Sequence, residues 1–240
     1  MCELVVAAYD SPRPFADLAD VAAGLERYGE AGFGWGVAWL DDRAKRVEAR
    51  RGLGRFTDEA HGDGSLLAVR SRRFLVHLRR PTRLSTIQMA DTQPFLDEGR
   101  SAWCHNGYLE RAEAHRAEYD DVLEGRADSE IGWRYFLERV AATTVEAALE
   151  EVDIRFGGRV NLAYLDADGL LSVYSRNDTN RMWRYRLEEG SLASTDLHSD
   201  DNSLFDLVVP GASDRTRIWA GESWRLGEPV AATESAELAG

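Results

Sequence analysis

The second residue of the chain is a cysteine, and its position matters more than its type. Removal of Met1 would leave one residue carrying both a thiol nucleophile and a free α-amine. Cysteine is intrinsically very nucleophilic, and an adjacent base raises its activity. An α-amine titrates near ~7.7–8.0, so a usable fraction is neutral at cellular pH and able to take the thiol proton. Three other stretches hold groups that such a nucleophile could use. Phe74-Leu75-Val76-His77-Leu78-Arg79-Arg80-Pro81-Thr82 reads as a strand ending in a basic loop. An arginine there offers a planar fork that grips a carboxylate through two charge-assisted hydrogen bonds, although a solvated Arg at a strand end is the commoner case. Trp103-Cys104-His105-Asn106-Gly107 brings Asn-Gly to a strand end just before a helix. The Asn amide and the Gly N–H can donate to one developing oxyanion; the plainer reading is a simple turn. Ala127-Asp128-Ser129-Glu130 opens a helix, where Asp128 can hold a substrate ammonium, cap the helix, or do both.

The elements that would position these residues run as strands, then helices, then strands. Leu4–Tyr9 is a short apolar run that predicts a buried strand. Phe15–Tyr28 has Leu18, Val21, Ala22 and Leu25 at helical spacing, with Gly29 as a stop. Phe33–Leu40 and Lys45–Arg50 flank Asp41-Asp42 and predict a hairpin. In the first of these, glycines alternate with large apolar residues, a pattern that lets another backbone come close. Phe74–Leu78 and Ser101–His105 predict further strands, and Leu109–Leu123, Glu130–Val140 and Val145–Val152 predict helices. Beyond Gly157-Gly158 the pattern turns to strands: Val160–Leu165 with Leu170–Tyr174, Met182–Leu187 with Ser191–Ser194, then Leu204–Val209 and Arg217–Ala220. Many strands around a central helical block predict a layered α+β fold with antiparallel sheets between helices. Nothing divides residues 1–226, which read as a single domain, and the polar, acidic stretch 227–240 reads as a frayed tail.

Composition narrows the partners. The chain has 240 residues and a net charge of −13, which argues against a nucleic-acid partner because phosphate binding draws on clustered Lys and Arg. No apolar run approaches the ~20 residues of a membrane span. Met1-Cys2-Glu3 has no basic n-region, so the expectation is a cytoplasmic protein without a signal peptide. Two cysteines, Cys2 and Cys104, make no disulfide framework, and the five His are not spaced as a metal site. His77 and His105 are expected to pack or hydrogen-bond, and Cys104 to face inward from its strand.

Taken in order, Cys2, Gly32-Phe33-Gly34-Trp35-Gly36, His77-Leu78-Arg79-Arg80-Pro81-Thr82, Asp91-Thr92-Gln93-Pro94-Phe95, His105-Asn106-Gly107 and Asp128-Ser129-Glu130 resemble the ordered motifs of class II glutamine amidotransferases. These are N-terminal-nucleophile hydrolases. The chain is most similar to the short, stand-alone members, which include the amidohydrolase of ergothioneine biosynthesis. The resemblance implies a four-layer αββα sandwich and cleavage of the γ-carboxamide of glutamine or of a γ-glutamyl amide through a thioester on Cys2. It implies that Asn106 and Gly107 form the oxyanion hole, that Arg79 with help from Thr82 binds the substrate α-carboxylate, and that Asp128 binds the α-ammonium. No cofactor or metal is implied. The partner is a small γ-glutamyl substrate; a separate synthetase taking up ammonia, or a second copy of the chain, stays open. Three departures from the family pattern stand out: Arg83 follows Thr82 where a Gly is usual, Pro81 replaces a small residue, and Glu30-Ala31 stand where an Asp usually precedes the glycine-rich strand. Two other readings remain: a catalytically silent binding or regulatory subunit, and a hydrolase of acyl amides without a glutamyl head.

Overall fold

Alternation along the strands explains the architecture. On β1 (Glu3–Pro14), Leu4, Val6 and Ala8 share one buried cluster while Val5, Ala7 and Tyr9 belong to another. A strand that buries both faces must lie between two layers. The structure, a computed structural model, describes residues 2–29, 31–199 and 201–227.

In chain order β1 is followed by α1 (Ala16–Tyr28), the hairpin β2 (Trp35–Asp41) and β3 (Arg46–Gly52), two short helices α2 (Phe56–Glu59) and α3 (Gly64–Leu67), and β4 (Arg70–Leu78). Then come β5 (Phe95–Asp97), β6 (Ser101–Leu109), α4 (Asp128–Val140), α5 (Val145–Phe156), β7 (Gly158–Asp166) and β8 (Leu171–Arg176). The chain continues through β9 (Met182–Leu187), β10 (Gly190–Thr195), α6 (Asn202–Val208), β11 (Asp214–Ile218) and β12 (Glu222–Leu226). A seven-stranded sheet runs β11-β9-β10-β1-β4-β2-β3 and a five-stranded sheet β12-β8-β7-β6-β5, with neighbours antiparallel.

Three apolar clusters give four layers. One joins α1, α2, α3 and α6 to the outer face of the larger sheet through residues such as Leu18, Phe56, Phe74 and Phe205. A second lies between the sheets, with Leu4, Leu75, Cys104 and Ala163. The third packs α4 and α5 on the smaller sheet around Trp103, Phe136 and Phe156. This is the expected αββα arrangement of antiparallel sheets between helices. None of the helices among the described residues is long and apolar enough to cross a membrane.

Three expectations need correcting. Leu204–Val209 is not a strand but mostly the helix α6: Asp201 caps it by accepting the Ser203 N–H at 2.9 Å, and Phe205 and Val208 turn one face to the core. The apolar spacing there suits a helix as well as a buried strand, and the cap decides. Leu109–Leu123 holds only a short 3-10 helix, Ala112–Glu118, because β6 runs on through Asn106-Gly107 to Leu109. Arg217–Ala220 overlaps only the end of β11, and β12 follows it as the partner of β8. Of the 227–240 tail reading, residues 228–240 lie outside the described residues.

Candidate active site

The same alternation collects chemistry at one end of the inter-sheet layer. Cys2 continues the parity of Leu4 and Val6 on β1, Arg79 that of Leu75 and His77 on β4, and Asn106 that of Ala102 and Cys104 on β6. All three positions therefore face the gap between the sheets, beyond its apolar filling. There a cavity of ≈ 80 Å³ is lined by Cys2, Arg79, Thr82, Gly107 and Asp128. At about 30 Å³ per water that space holds a few water-sized groups, so it is a small site. Five of the six expected residues thus line one cavity. Asn106 stands behind it, fully buried, with its Nδ2 donating to the Cys2 carbonyl oxygen.

Cys2 is half-buried, and among the described residues its Sγ hydrogen-bonds only to backbone: it accepts the Arg80 N–H at 3.3 Å and lies 3.5 Å from the Arg80 carbonyl. Burial pushes the thiol up from its ordinary range, against the opposing pull of the Arg80 N–H and the Arg79 guanidinium. The resting group is therefore a thiol that needs a base. No side chain among the described residues hydrogen-bonds to Sγ. His105 is occupied elsewhere, with Nδ1 2.9 Å from the Ser129 hydroxyl and Nε2 3.2 Å from the Arg159 carbonyl. His77 is wholly buried, and burial, with the charges of Arg79 and His105 adding to it against the pull of the His105 backbone, drives it down to about 3.

Arg79 is 4 % exposed. Its Nη2 donates to the Thr86 hydroxyl at 2.9 Å, while its Nη1 is buried with no partner among the described residues. A buried guanidinium N–H left unmade costs free energy, which an acceptor brought to it would recover. Burial also lowers Arg79 from its ordinary value, with Cys2 and Asp91 opposing. The glycine-rich stretch fixes this arginine's backbone: Gly32 and Phe33 donate to the Arg79 carbonyl at 3.1 and 3.0 Å, and Arg79 donates to the Gly34 carbonyl at 2.7 Å. Gly36 clears space for the Gln93-Pro94 backbone, since a Cβ there would sit 2.2 Å from the Gln93 carbonyl oxygen. The hydroxyl at Arg79 is thus Thr86; Thr82 is exposed at the cavity wall.

Asp128 is the first residue of α4, not its cap; Ala127 holds that place and makes no side-chain cap. The Asp128 Oδ2 instead accepts the Leu109 N–H at 2.7 Å, tying the helix start to the end of β6. Gly107 sits at φ +136°, and a Cβ there would fall 1.8 Å from the Arg159 carbonyl oxygen, so no other residue fits.

Several supports carried no expectation of their own. Gln93 clamps the His105 backbone, accepting its N–H at 2.5 Å and donating to its carbonyl at 3.2 Å. Asp91 accepts the N–H groups of Arg126 and Ala127 at 2.6 and 2.7 Å, fixing the loop that delivers Asp128. Both lie in the Asp91–Phe95 motif, so their place in sequence was the available signal. Among the described residues no group of three or more His, Cys, Asp or Glu is placed to hold a metal ion.

Comparison with known proteins gives the family and the fold. The family model for class-II glutamine amidotransferases matches residues 1–169. Among solved structures, glutamine phosphoribosylpyrophosphate amidotransferase from B. subtilis, complexed with ADP and GMP, superposes with a TM-score of 0.72 at 16 % identity, covering 94 % of this chain and 47 % of that one. The allosteric regulatory enzyme of purine biosynthesis gives 0.71 at 15 % identity, covering 94 % and 46 %. A glutamine aminotransferase class-II domain protein from Silicibacter pomeroyi gives 0.55 at 20 % identity, covering 92 % and 93 %. At these identities the likeness is one of fold. The chain spans about half the length of the first two. No curated protein matches it.

Proposed function

The chain belongs to the class-II glutamine amidotransferase family, and from that premise we propose that it is an amidohydrolase that opens the γ-carboxamide of glutamine or a γ-glutamyl amide through a thioester on Cys2. The observation that carries the reading is that buried Arg79, whose Nη1 has no partner among the described residues, lines one small cavity together with Cys2 and Asp128. A glutamyl head has an α-carboxylate and an α-ammonium at fixed separation, and this cavity offers one cation and one anion to receive them. The order of motifs further supports a stand-alone member, the type that includes the amidohydrolase of ergothioneine biosynthesis.

In the proposed cycle Met1 has been removed and the Cys2 α-amine is free. The amine takes the thiol proton as Sγ attacks the γ-carbonyl carbon. The oxygen gains negative charge and is held by one Asn106 Nδ2 hydrogen and the Gly107 N–H; the other Nδ2 hydrogen stays on the Cys2 carbonyl. The tetrahedral adduct collapses as the protonated amine gives its proton to the departing nitrogen, which leaves as ammonia or an amine. Water, deprotonated by the same amine, then attacks the thioester and releases glutamate with the Cys2 thiol restored. Removing one oxyanion donor in such chemistry costs about 2.7–4 kcal/mol of transition-state stabilisation. The absence of a side-chain base on Sγ among the described residues favours the α-amine in this role.

The test is glutamate release from glutamine and from γ-glutamyl p-nitroanilide, beside butyryl p-nitroanilide as an acyl amide without the glutamyl head. The expected result is turnover of at least one glutamyl substrate, lost in Cys2→Ala, with the butyryl anilide inert. Equal turnover of the butyryl anilide, or none of either glutamyl substrate by protein that has lost Met1, would overturn the reading.

A further inference from the structure

An oxyanion donor on a carboxamide side chain carries a risk that a backbone N–H does not. An Asn amide can rotate by half a turn and exchange its donor for an acceptor. If Asn106 did so, its Oδ1 would face both the Cys2 carbonyl and the developing oxyanion, and the hole would repel what it must hold. What meets the far side of the Asn106 amide therefore decides whether the hole exists.

That far side is met by Asn161. It lies directly opposite Asn106 in the β6–β7 register, at 0 % exposure, on the same inter-sheet face. Its Nδ2 donates to the Asn106 Oδ1 at 3.0 Å and to the Asn180 carbonyl at 2.7 Å, and its Oδ1 accepts the Arg176 N–H at 3.2 Å. The last two partners are backbone groups, whose polarity cannot reverse. An N–H faces one end of Asn161 and a carbonyl faces the other, so its amide has one satisfied orientation. That orientation aims a donor at Asn106, which in turn must aim its own donor at Cys2. Asn177 repeats the device: its Oδ1 accepts the N–H groups of Thr179 and Asn180, both at 3.2 Å, and its Nδ2 reaches the Asn106 Oδ1 at 3.4 Å. Asn180 completes the circuit by donating to the Cys2 carbonyl at 3.1 Å.

We propose that Asn161 is the positioning residue of the oxyanion hole, transmitting the fixed polarity of the Arg176 N–H and the Asn180 carbonyl to the Asn106 amide. It rests on the amidohydrolase reading, because only a reaction that builds an oxyanion beside Cys2 makes the orientation of Asn106 matter.

The experiment is a double-mutant cycle on γ-glutamyl p-nitroanilide with Asn161→Asp, Asn106→Ala and the pair. Asn161→Asp keeps the shape and removes the donor, setting an oxygen against the Asn106 Oδ1. The expected result is a fall in kcat of about 10²–10³-fold, the cost of one lost oxyanion donor, with KM within about threefold. In the Asn106→Ala background the same substitution should cost less than about threefold, because a residue that acts through Asn106 has nothing left to position. Alkylation of Cys2 by iodoacetamide, a displacement that forms no oxyanion, should keep its rate in Asn161→Ser, which brings in no charge. A merely structural role would multiply the two losses and slow alkylation as well, which overturns the proposal. Asn161→Ser, which is neutral and too short to reach Asn106, must show the same non-additivity if the Asp variant fails to fold. Wild-type protein without turnover would overturn the functional reading and this inference together, whereas an active wild type with additive losses would overturn this inference alone.

Discussion

Replacing Arg79 by lysine asks whether the unpartnered guanidinium nitrogen is the substrate's anchor. Arg79 is 4 % exposed and spends Nη2 on the Thr86 hydroxyl at 2.9 Å, so Nη1 is the buried donor left to meet an α-carboxylate. Lysine keeps the positive charge but loses the planar fork, and with it one directed bond. A hydrogen bond to a charged group contributes about 1.5–3 kcal/mol, and about 1.4 kcal/mol is a factor of ten. Arg79→Lys should therefore lower kcat/KM for γ-glutamyl p-nitroanilide by about 10- to 150-fold. The decisive comparison is 4-aminobutyryl p-nitroanilide, which is the same anilide without its α-carboxylate. On that compound wild type should already be slow, and the substitution should change the rate by less than about threefold, because the bond in question has no acceptor. The assay is release of p-nitroaniline at substrate concentrations well below KM. Equal losses on both anilides would mean that lysine disturbs the site generally, and no loss on either would mean that Nη1 meets no carboxylate. Either result refutes the reasoning.

Asp128→Asn should raise KM for the γ-glutamyl anilide by about tenfold or more, since an amide cannot pair with an ammonium, while glutaryl p-nitroanilide, which has no α-amine, should be affected far less. Gly36→Ala places a Cβ 2.2 Å from the Gln93 carbonyl oxygen, so denaturant titration should find it less stable by about 1–3 kcal/mol. His77 makes a pH prediction. Its folded-state value of about 3 lies below the ordinary 6.5, so the unfolded chain takes up the proton first as pH falls. Stability from this group is complete above pH ~6.5 and lost between there and about 3, by about 1.4 kcal/mol per unit. His77→Leu should accordingly flatten the stability curve between pH 6.5 and 5 by about 2 kcal/mol, as read by denaturant midpoints, and an unchanged slope would show that His77 is not buried neutral.

What the sequence disclosed and what it withheld divide along physical lines. Residue type and motif order made Cys2, Arg79 and Asn106 legible as candidates, whereas the face they share in the gap between the sheets emerges from the strand parity of the structure. The glycine-rich strand was legible as a place of close approach, which the Gly36 contact with Gln93 bears out. Leu204–Val209 was misread because its apolar residues fit both a buried strand and a helix face, and the deciding Asp201 cap lies outside the run. Asn106-Gly107 reads as a turn because Asn-Gly is turn chemistry, yet here the strand passes through it with Gly107 at φ +136°. Thr86 carried no expectation, because adjacency in sequence cannot foresee that the loop after β4 folds back to bring this later hydroxyl to Arg79. The supports withheld most. Gln93 and Asp91 sat in a quoted motif without a role, and Asn161 was an amide inside the strand run Val160–Leu165. A side chain whose task is to orient another side chain leaves a mark only in three dimensions.

The most direct test of the account is intact-mass analysis of the protein after incubation with a diazo-ketone analogue of glutamine, followed by peptide mapping. The account expects a chain that has lost Met1 and carries one adduct, on Cys2, with glutamine protecting against labelling and Arg79→Lys slowing it. An adduct on buried Cys104, or a chain that has lost Met1 and takes no adduct at all, would contradict a glutamyl-directed nucleophile at Cys2.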